Sequence, residues 1–311
     1  MDVFYHDPNV AHSRVALSVF LSDNDDGSRQ YIDLQRPFYA LNTRYAIGGQ
    51  FDRVDQEEGL YFRSDEFARF RREYRQFAVS GGWSFGRRND RVRRLLLGYR
   101  FEEHVFSAVE DEPAPTPFPD DRTFAYPFIG FESVEDEYEI AVNVDRIERT
   151  EDLYVGQRVF AELGLSDHSM GADEARRAVV RLGYEDTSRP DQRHLFSYGV
   201  TARGLWNFRE DQEEAVVVRA AGDYRQQQGE RFAFAATLAA TYTRNLFADQ
   251  QLLLGVIRAC VATPVGISGG AQLRHQSGGA LSLRCVSAAA GAIGLRRIHR
   301  RGPRLVSWRS R

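Results

Sequence analysis

The stretch Arg231–Gly255 reads Arg-Phe-Ala-Phe-Ala-Ala-Thr-Leu-Ala-Ala-Thr-Tyr-Thr-Arg, then a short polar turn, then Gln-Leu-Leu-Leu-Gly. Side chains alternate across a strand, so Phe232, Phe234, Ala236, Leu238, Ala240 and Tyr242 share one face. Ala233, Ala235, Thr237, Ala239, Thr241 and Thr243 share the other. One face is wholly apolar with aromatic ends, and its opposite is small and partly polar. That is the pattern of a strand crossing a membrane in a barrel, with Phe232, Phe234, Leu238 and Tyr242 facing lipid.

The same alternation recurs upstream. From Val3 to Gly255 roughly eleven strand-length segments are separated by turn-forming or acidic clusters. Val15, Leu17, Val19 and Leu21 form one apolar face, and Asp23–Gly27 then turns the chain. Phe77, Val79, Gly81, Trp83 and Phe85 form another, and Leu95, Leu97, Tyr99 and Phe101 a third, opposed by Arg94, Gly98 and Arg100. Glu110–Asp121 holds four prolines among acids and reads as a long exposed loop. Strands are predicted over Phe124–Glu132 and Tyr138–Val144, and Ser64–Tyr74 reads as a charged loop. In the second half Arg158, Glu162, Arg181, Arg203 and Arg219 sit mid-strand, opposite the apolar residues. A soluble sandwich would expose such a face to bulk water; a membrane barrel turns it into a water-filled lumen. Segments near ten residues favour the barrel over the sandwich by roughly two to one.

Composition agrees with a barrel and excludes other classes. The chain has 311 residues, a net charge of -3 and a mean hydropathy of -0.47, with 21 Phe and 14 Tyr. That charge gives no reason to expect nucleic acid as partner. No run of about eighteen apolar residues exists, so a transmembrane helix is excluded. The start, Met-Asp-Val-Phe-Tyr-His-Asp-Pro, lacks a basic and then an apolar region, so no signal peptide is expected. Cys260 and Cys285 have no CxxC or paired-His context, and the seven histidines are scattered, so no metal site is expected. Asp23–Gly27 departs from a calcium loop, with Ser22 at its first position and Asp33 at its twelfth, and reads as a hairpin turn. The acids of Glu132–Glu139 read as a solvated loop at a strand end. No Gly-x-Ser-x-Gly, phosphate loop or His-Glu-x-x-His is present, so neither catalytic residues nor a cofactor are expected.

After Gly255 the composition inverts. Residues 256–311 contain no acid, no Phe and no Tyr, but both cysteines and ten arginines. Such a tail reads either as a basic arm for nucleic acid or anionic lipid, or as translation in the wrong frame. The genetic code allows a test. From Gly255 onward, joining each codon's last base to the first two of the next permits Gly-Asp-Ser-Gly-Leu-Arg-Gly-Tyr-Pro. The expectation is a partial outer-membrane barrel over 1–255, and a tail over 256–311 that is out of frame, disordered and without a fold. Sequencing the coding DNA across Gly255 decides it: codons that do not spell that peptide end the idea.

Asp7-Pro8-Asn9-Val10, the turn Ser22–Gly27, Arg36-Pro37-Phe38-Tyr39-Ala40-Leu41-Asn42-Thr43-Arg44 and Gln251–Gly255 together resemble the bacterial surface-antigen superfamily. These are outer-membrane barrels of the assembly-factor and two-partner-secretion translocator type, and the resemblance covers about residues 1–255. It implies a non-enzymatic role in inserting or translocating polypeptides, with outer-membrane lipid and those polypeptides as partners. It also implies that a Gly-Leu-Arg-Gly-Tyr loop folds back into the barrel with its Arg on the inner wall. The alternatives from the residues themselves are a passive pore-like outer-membrane barrel and a soluble β-sandwich binding module. The sequence lacks the upstream periplasmic domains and the later strands of that pattern, so a truncated product is expected.

Overall fold

The computed structural model describes residues 1–62, 65–142, 150–228, 232–250, 272–274 and 280–290. In chain order the strands are β1 (Asp2–Val10), β2 (Val15–Asn24), β3 (Gly27–Arg36), β4 (Tyr45–Phe62), β5 (Asp65–Arg88), β6 (Arg91–Ala108) and β7 (Arg122–Glu135). There follow β8 (Tyr138–Val142), β9 (Thr150–Tyr154), β10 (Gly156–Ser166), β11 (Arg177–Ser188), β12 (His194–Asn207), β13 (Gln212–Gln228) and β14 (Phe232–Arg244). β15 (Gln272–Arg274) and β16 (Ala280–Ala290) lie in the predicted tail, where β16 pairs with β14 and with β15. The rest of that tail lies outside the described residues.

Each strand is antiparallel to the one before it, from β1 through β7 and then from β10 through β14. The one excursion is β8–β9, a separate two-stranded hairpin. Tyr138–Val142 therefore forms a strand outside the main sheet, which corrects its expected place in the barrel wall. A single meandering sheet also differs from two stacked sheets, so the sandwich arrangement is not formed. Short turns carry the meander: Asn89 and Asp90, at φ 51° and 55°, make the two-residue turn that matches strand twist between β5 and β6.

The sheet is strongly curved. Arg181 on β11 reaches Glu102 on β6 at 3.6 Å although three strand spacings separate them, about 14 Å on a flat sheet. Register then assigns every side chain to a concave or a convex face. Convex residues include Tyr45, Ile47, Val79, Trp83, Phe85, Leu97, Ile129, Phe131, Leu163 and Leu182, all exposed. On β12 this band runs through Phe196, Tyr198 and Val200 to Trp206. Ten steps of about 3.3 Å, tilted by about 40°, give a height of about 25 Å, the apolar band of a membrane barrel. Aromatic rings gather at its lower edge, where Phe196 and Tyr224 lie 4.8 Å apart and Tyr224 and Phe234 6.1 Å. The fold is an all-β antiparallel barrel of transmembrane type. It is incomplete: among the described residues β1 pairs only with β2, and the ring does not close.

On β4 and β5, 18 and 24 residues long, the apolar band stops near Phe51 and Phe77. Beyond it the outer face is charged, with Arg71 held by Asp55 through two hydrogen bonds of 2.7 and 2.8 Å. Asp65–Tyr74 is therefore strand, not the charged loop expected from sequence. Its charges pair across to β4, Arg72 with Glu58 at 2.7 Å among them. On the inner side Leu60, Ala68, Phe70 and Phe106 form a small buried cluster.

Candidate functional site

The concave face collects the charged residues in tiers. In the lower tier Glu132 on β7 accepts from Arg94 on β6 at 2.7 Å and from Arg158 on β10 at 2.7 Å, and Arg158 also reaches Glu185 on β11 at 3.3 Å. Glu132 is thus a buried clamp, which corrects its expected place in a solvated acidic loop. In the middle tier Glu162 accepts from Arg100 at 2.9 Å, and Arg181 lies 3.8 Å from Glu162. In the upper tier Arg177 donates to Glu214 at 2.7 Å and to Asp173 at 2.6 Å, while Asn207 holds the other oxygen of Glu214 at 2.6 Å. Multiple partners offset the desolvation that burial imposes on these charged groups.

Glycines on this face admit the inward aromatic rings. The Phe128 ring lies over Gly98, where an added Cβ would come within 2.5 Å of both that ring and the Val79 carbonyl. Gly183 is covered by Phe160 in the same way. The alternation of glycine with arginine, read from sequence as strand patterning, thus also makes room for rings between the tiers.

Past β14 the chain turns inward. Asn245–Gln250 forms a strap over the upper tier. Phe247 packs on Phe124 at 6.2 Å between ring centroids, and the Arg122 guanidinium lies 4.3 Å from the Phe247 ring. Asp249 accepts from Arg122 at 2.7 Å, and their side chains are only 4% and 5% exposed. Below the strap is a cavity of about 280 Å³ lined in part by Arg72, His104, Arg122, Arg203, Phe247 and Gln250.

All five polar residues singled out in the sequence, Arg158, Glu162, Arg181, Arg203 and Arg219, lie on this one face by register. Glu162, Arg181, Arg203 and Arg219 line a second cavity of about 310 Å³. Phe234, Leu238 and Tyr242 lie on the opposite, convex face, and the side chain of Phe232 lies outside the described residues. Sequence reasoning missed Glu102, His104, Arg122, Glu132 and Asp249. Strand parity with Arg94 and Arg100 identifies the first three and Glu132, because register carries one face from strand to strand. Asp249 has no such signal, since its partner is 127 residues away and it belongs to no strand.

The site is therefore a charged inner wall with a strap across it, the interior of a barrel-type protein. No known protein-family profile matches the chain, and no curated protein does. Among solved structures the chain is similar to the BamA of Haemophilus ducreyi lacking POTRA domains 1-3, at 12% identity and a TM-score of 0.45. The match covers 78% of this chain and 55% of that one, so the chain spans about half the length of that structure.

Proposed function

We propose that this chain forms most of the wall of a bacterial outer-membrane β-barrel related to polypeptide assembly and translocation factors, acting without catalysis. The observation that carries the reading is the division of one curved sheet into an exposed apolar outer band, about 25 Å high, and a charged inner face. Bulk water would solvate the inner face equally well, but it would leave the outer band uncovered. Lipid covers it. Arg158, Glu162, Arg181, Arg203 and Arg219 then face a lumen, and Phe234, Leu238 and Tyr242 face lipid, with Phe232 placed beside them by sequence. The tie to assembly factors rests on the order of the sequence motifs, and the inward strap after β14 is consistent with it.

The test is refolding of the full chain from urea in the presence of phosphatidylcholine vesicles. Flotation with the vesicles is expected, with blue-shifted fluorescence from the outward Trp83 and Trp206. A folded, monodisperse monomer in detergent-free buffer refutes the membrane reading. A steady, wide conductance across planar bilayers would favour a passive pore over a translocator, because a docked strap obstructs the lumen.

A further inference from the structure

The cavity under the strap is built for an anion that the tiers of ion pairs do not supply. Two buried nitrogens at its wall have no hydrogen-bond partner, Arg122 Nε and His104 Nδ1. Arg72 turns its Nε to Glu58 at 2.7 Å, whereas Arg122 meets Asp249 through Nη2, which leaves the Arg122 Nε over. Arg203 also lines the cavity and has no ion pair with a described residue. Arg181 is a further cation there, and Glu102, the acid among the lining residues, already faces both Arg181 and Arg100. Arg219 shares the adjoining cavity with Arg203, so like charge lies on two sides of it.

We infer that this cavity binds a phosphate-type oxyanion, held between the Nε of Arg122 and the guanidinium of Arg203, with Arg72 as a further cation on the wall. Charge-assisted bonds from planar guanidinium groups are the strongest donors a protein offers to such an anion. Water alone would satisfy donors but would leave the charge of Arg203 uncompensated. His104 and Gln250 complete the wall, His104 donating from Nδ1 in the tautomer that carries its proton there. The site does not depend on what the barrel transports, and the membrane test and the anion test can fail separately.

The experiment uses the full chain folded in a zwitterionic detergent, titrated calorimetrically with inorganic phosphate and, in a second arm, with glycerol 3-phosphate at matched ionic strength. Saturable binding of either supports the site, and tighter binding of glycerol 3-phosphate assigns the anion to a lipid-derived headgroup. Arg203→Gln is expected to weaken binding at least about tenfold, since it removes one charge-assisted contact. Arg219→Gln, outside this cavity, should change binding little. Without anion, Arg203→Gln should unfold no earlier than the unsubstituted chain, because it relieves repulsion and breaks no pair. In phosphate the order should reverse, which a merely structural role would not produce. Should Arg203→Gln fail to fold, Arg203→Lys keeps the charge without the planar fork and should bind several-fold more weakly. No saturable binding of either probe, or binding that survives Arg203→Gln unchanged, overturns the inference.

Discussion

Replacing Arg122 by Met should free the strap from the inner wall. Met keeps most of the side-chain stem but removes the guanidinium that holds Asp249 at 2.7 Å and covers the Phe247 ring. Asp249 would then be a carboxylate with 4% exposure and no cation. Breaking one partner out of a buried pair costs about 3–5 kcal/mol, and here much of that cost can be avoided by undocking the strap into water. At a factor of ten per 1.4 kcal/mol, the undocked fraction should rise about 10²- to 10³-fold. Limited chymotrypsin digestion of the folded chain in detergent, read by mass spectrometry, reports it as cleavage after Phe247. Cleavage tracks the open population when opening and closing are fast. Phe208, exposed in the β12–β13 turn, serves as the internal control and should be cut at the same rate in both proteins. Asp249→Asn retains an acceptor for Arg122 and should cost only about 1–2 kcal/mol. If Arg122→Met is cut after Phe247 no faster than the unsubstituted chain, the ion pair does not hold the strap and the reasoning fails.

Three further outcomes follow from the wall. Leu238→Arg, on the outer face, should destabilise the vesicle-inserted protein by about 2–4 kcal/mol in urea unfolding, whereas Ala221→Arg, inward and at nearly the same height, should cost less than about 1 kcal/mol. Gly98→Ala should lower stability by about 1–3 kcal/mol, because the Val79 carbonyl that blocks its Cβ is backbone; Gly183→Ala should cost less, since only the Phe160 ring must swing aside. Equal losses at the two glycines would show that backbone crowding is not the deciding contact. Glu132→Gln leaves Arg94 and Arg158 without their shared carboxylate and should cost about 3–5 kcal/mol by the same assay, while Glu137→Gln, outside the clamp, should be neutral.

Much of this architecture is legible in the sequence because a period of two survives wherever one face is greasy and the other is charged. Phe77–Phe85 and the Arg231–Arg244 stretch show it directly, and parity alone groups Arg158, Glu162, Arg181, Arg203 and Arg219 on one face. Legibility fails where charge serves two structural purposes. Asp65–Tyr74 carries charges on both faces, and only pairing with β4 across the sheet identifies it as strand. Glu132 begins an acidic run that resembles a loop, yet two arginines from neighbouring strands neutralise it. Tyr138–Val142 has strand composition but, among the described residues, pairs only with its own hairpin mate, and composition cannot name a partner. Asp249 is the extreme case, defined wholly by a tertiary contact.

The sequential order of the strands bears on how the wall is made. From β1 to β7, and again from β10 to β14, every strand closes on the one just synthesised, so each pairing costs the entropy of a local turn or loop, the longest from β1 to β7 being residues 109–121. The β8–β9 hairpin lengthens one such step without changing its kind. The wall can therefore grow from either end by adding one strand at a time, and no interior pairing waits for a distant segment. Only the joining of the first strand to the last would span the whole chain, which makes ring closure the slow and separable event. Pulsed hydrogen exchange should accordingly protect β4–β6 at the same time whether or not the ring ever closes.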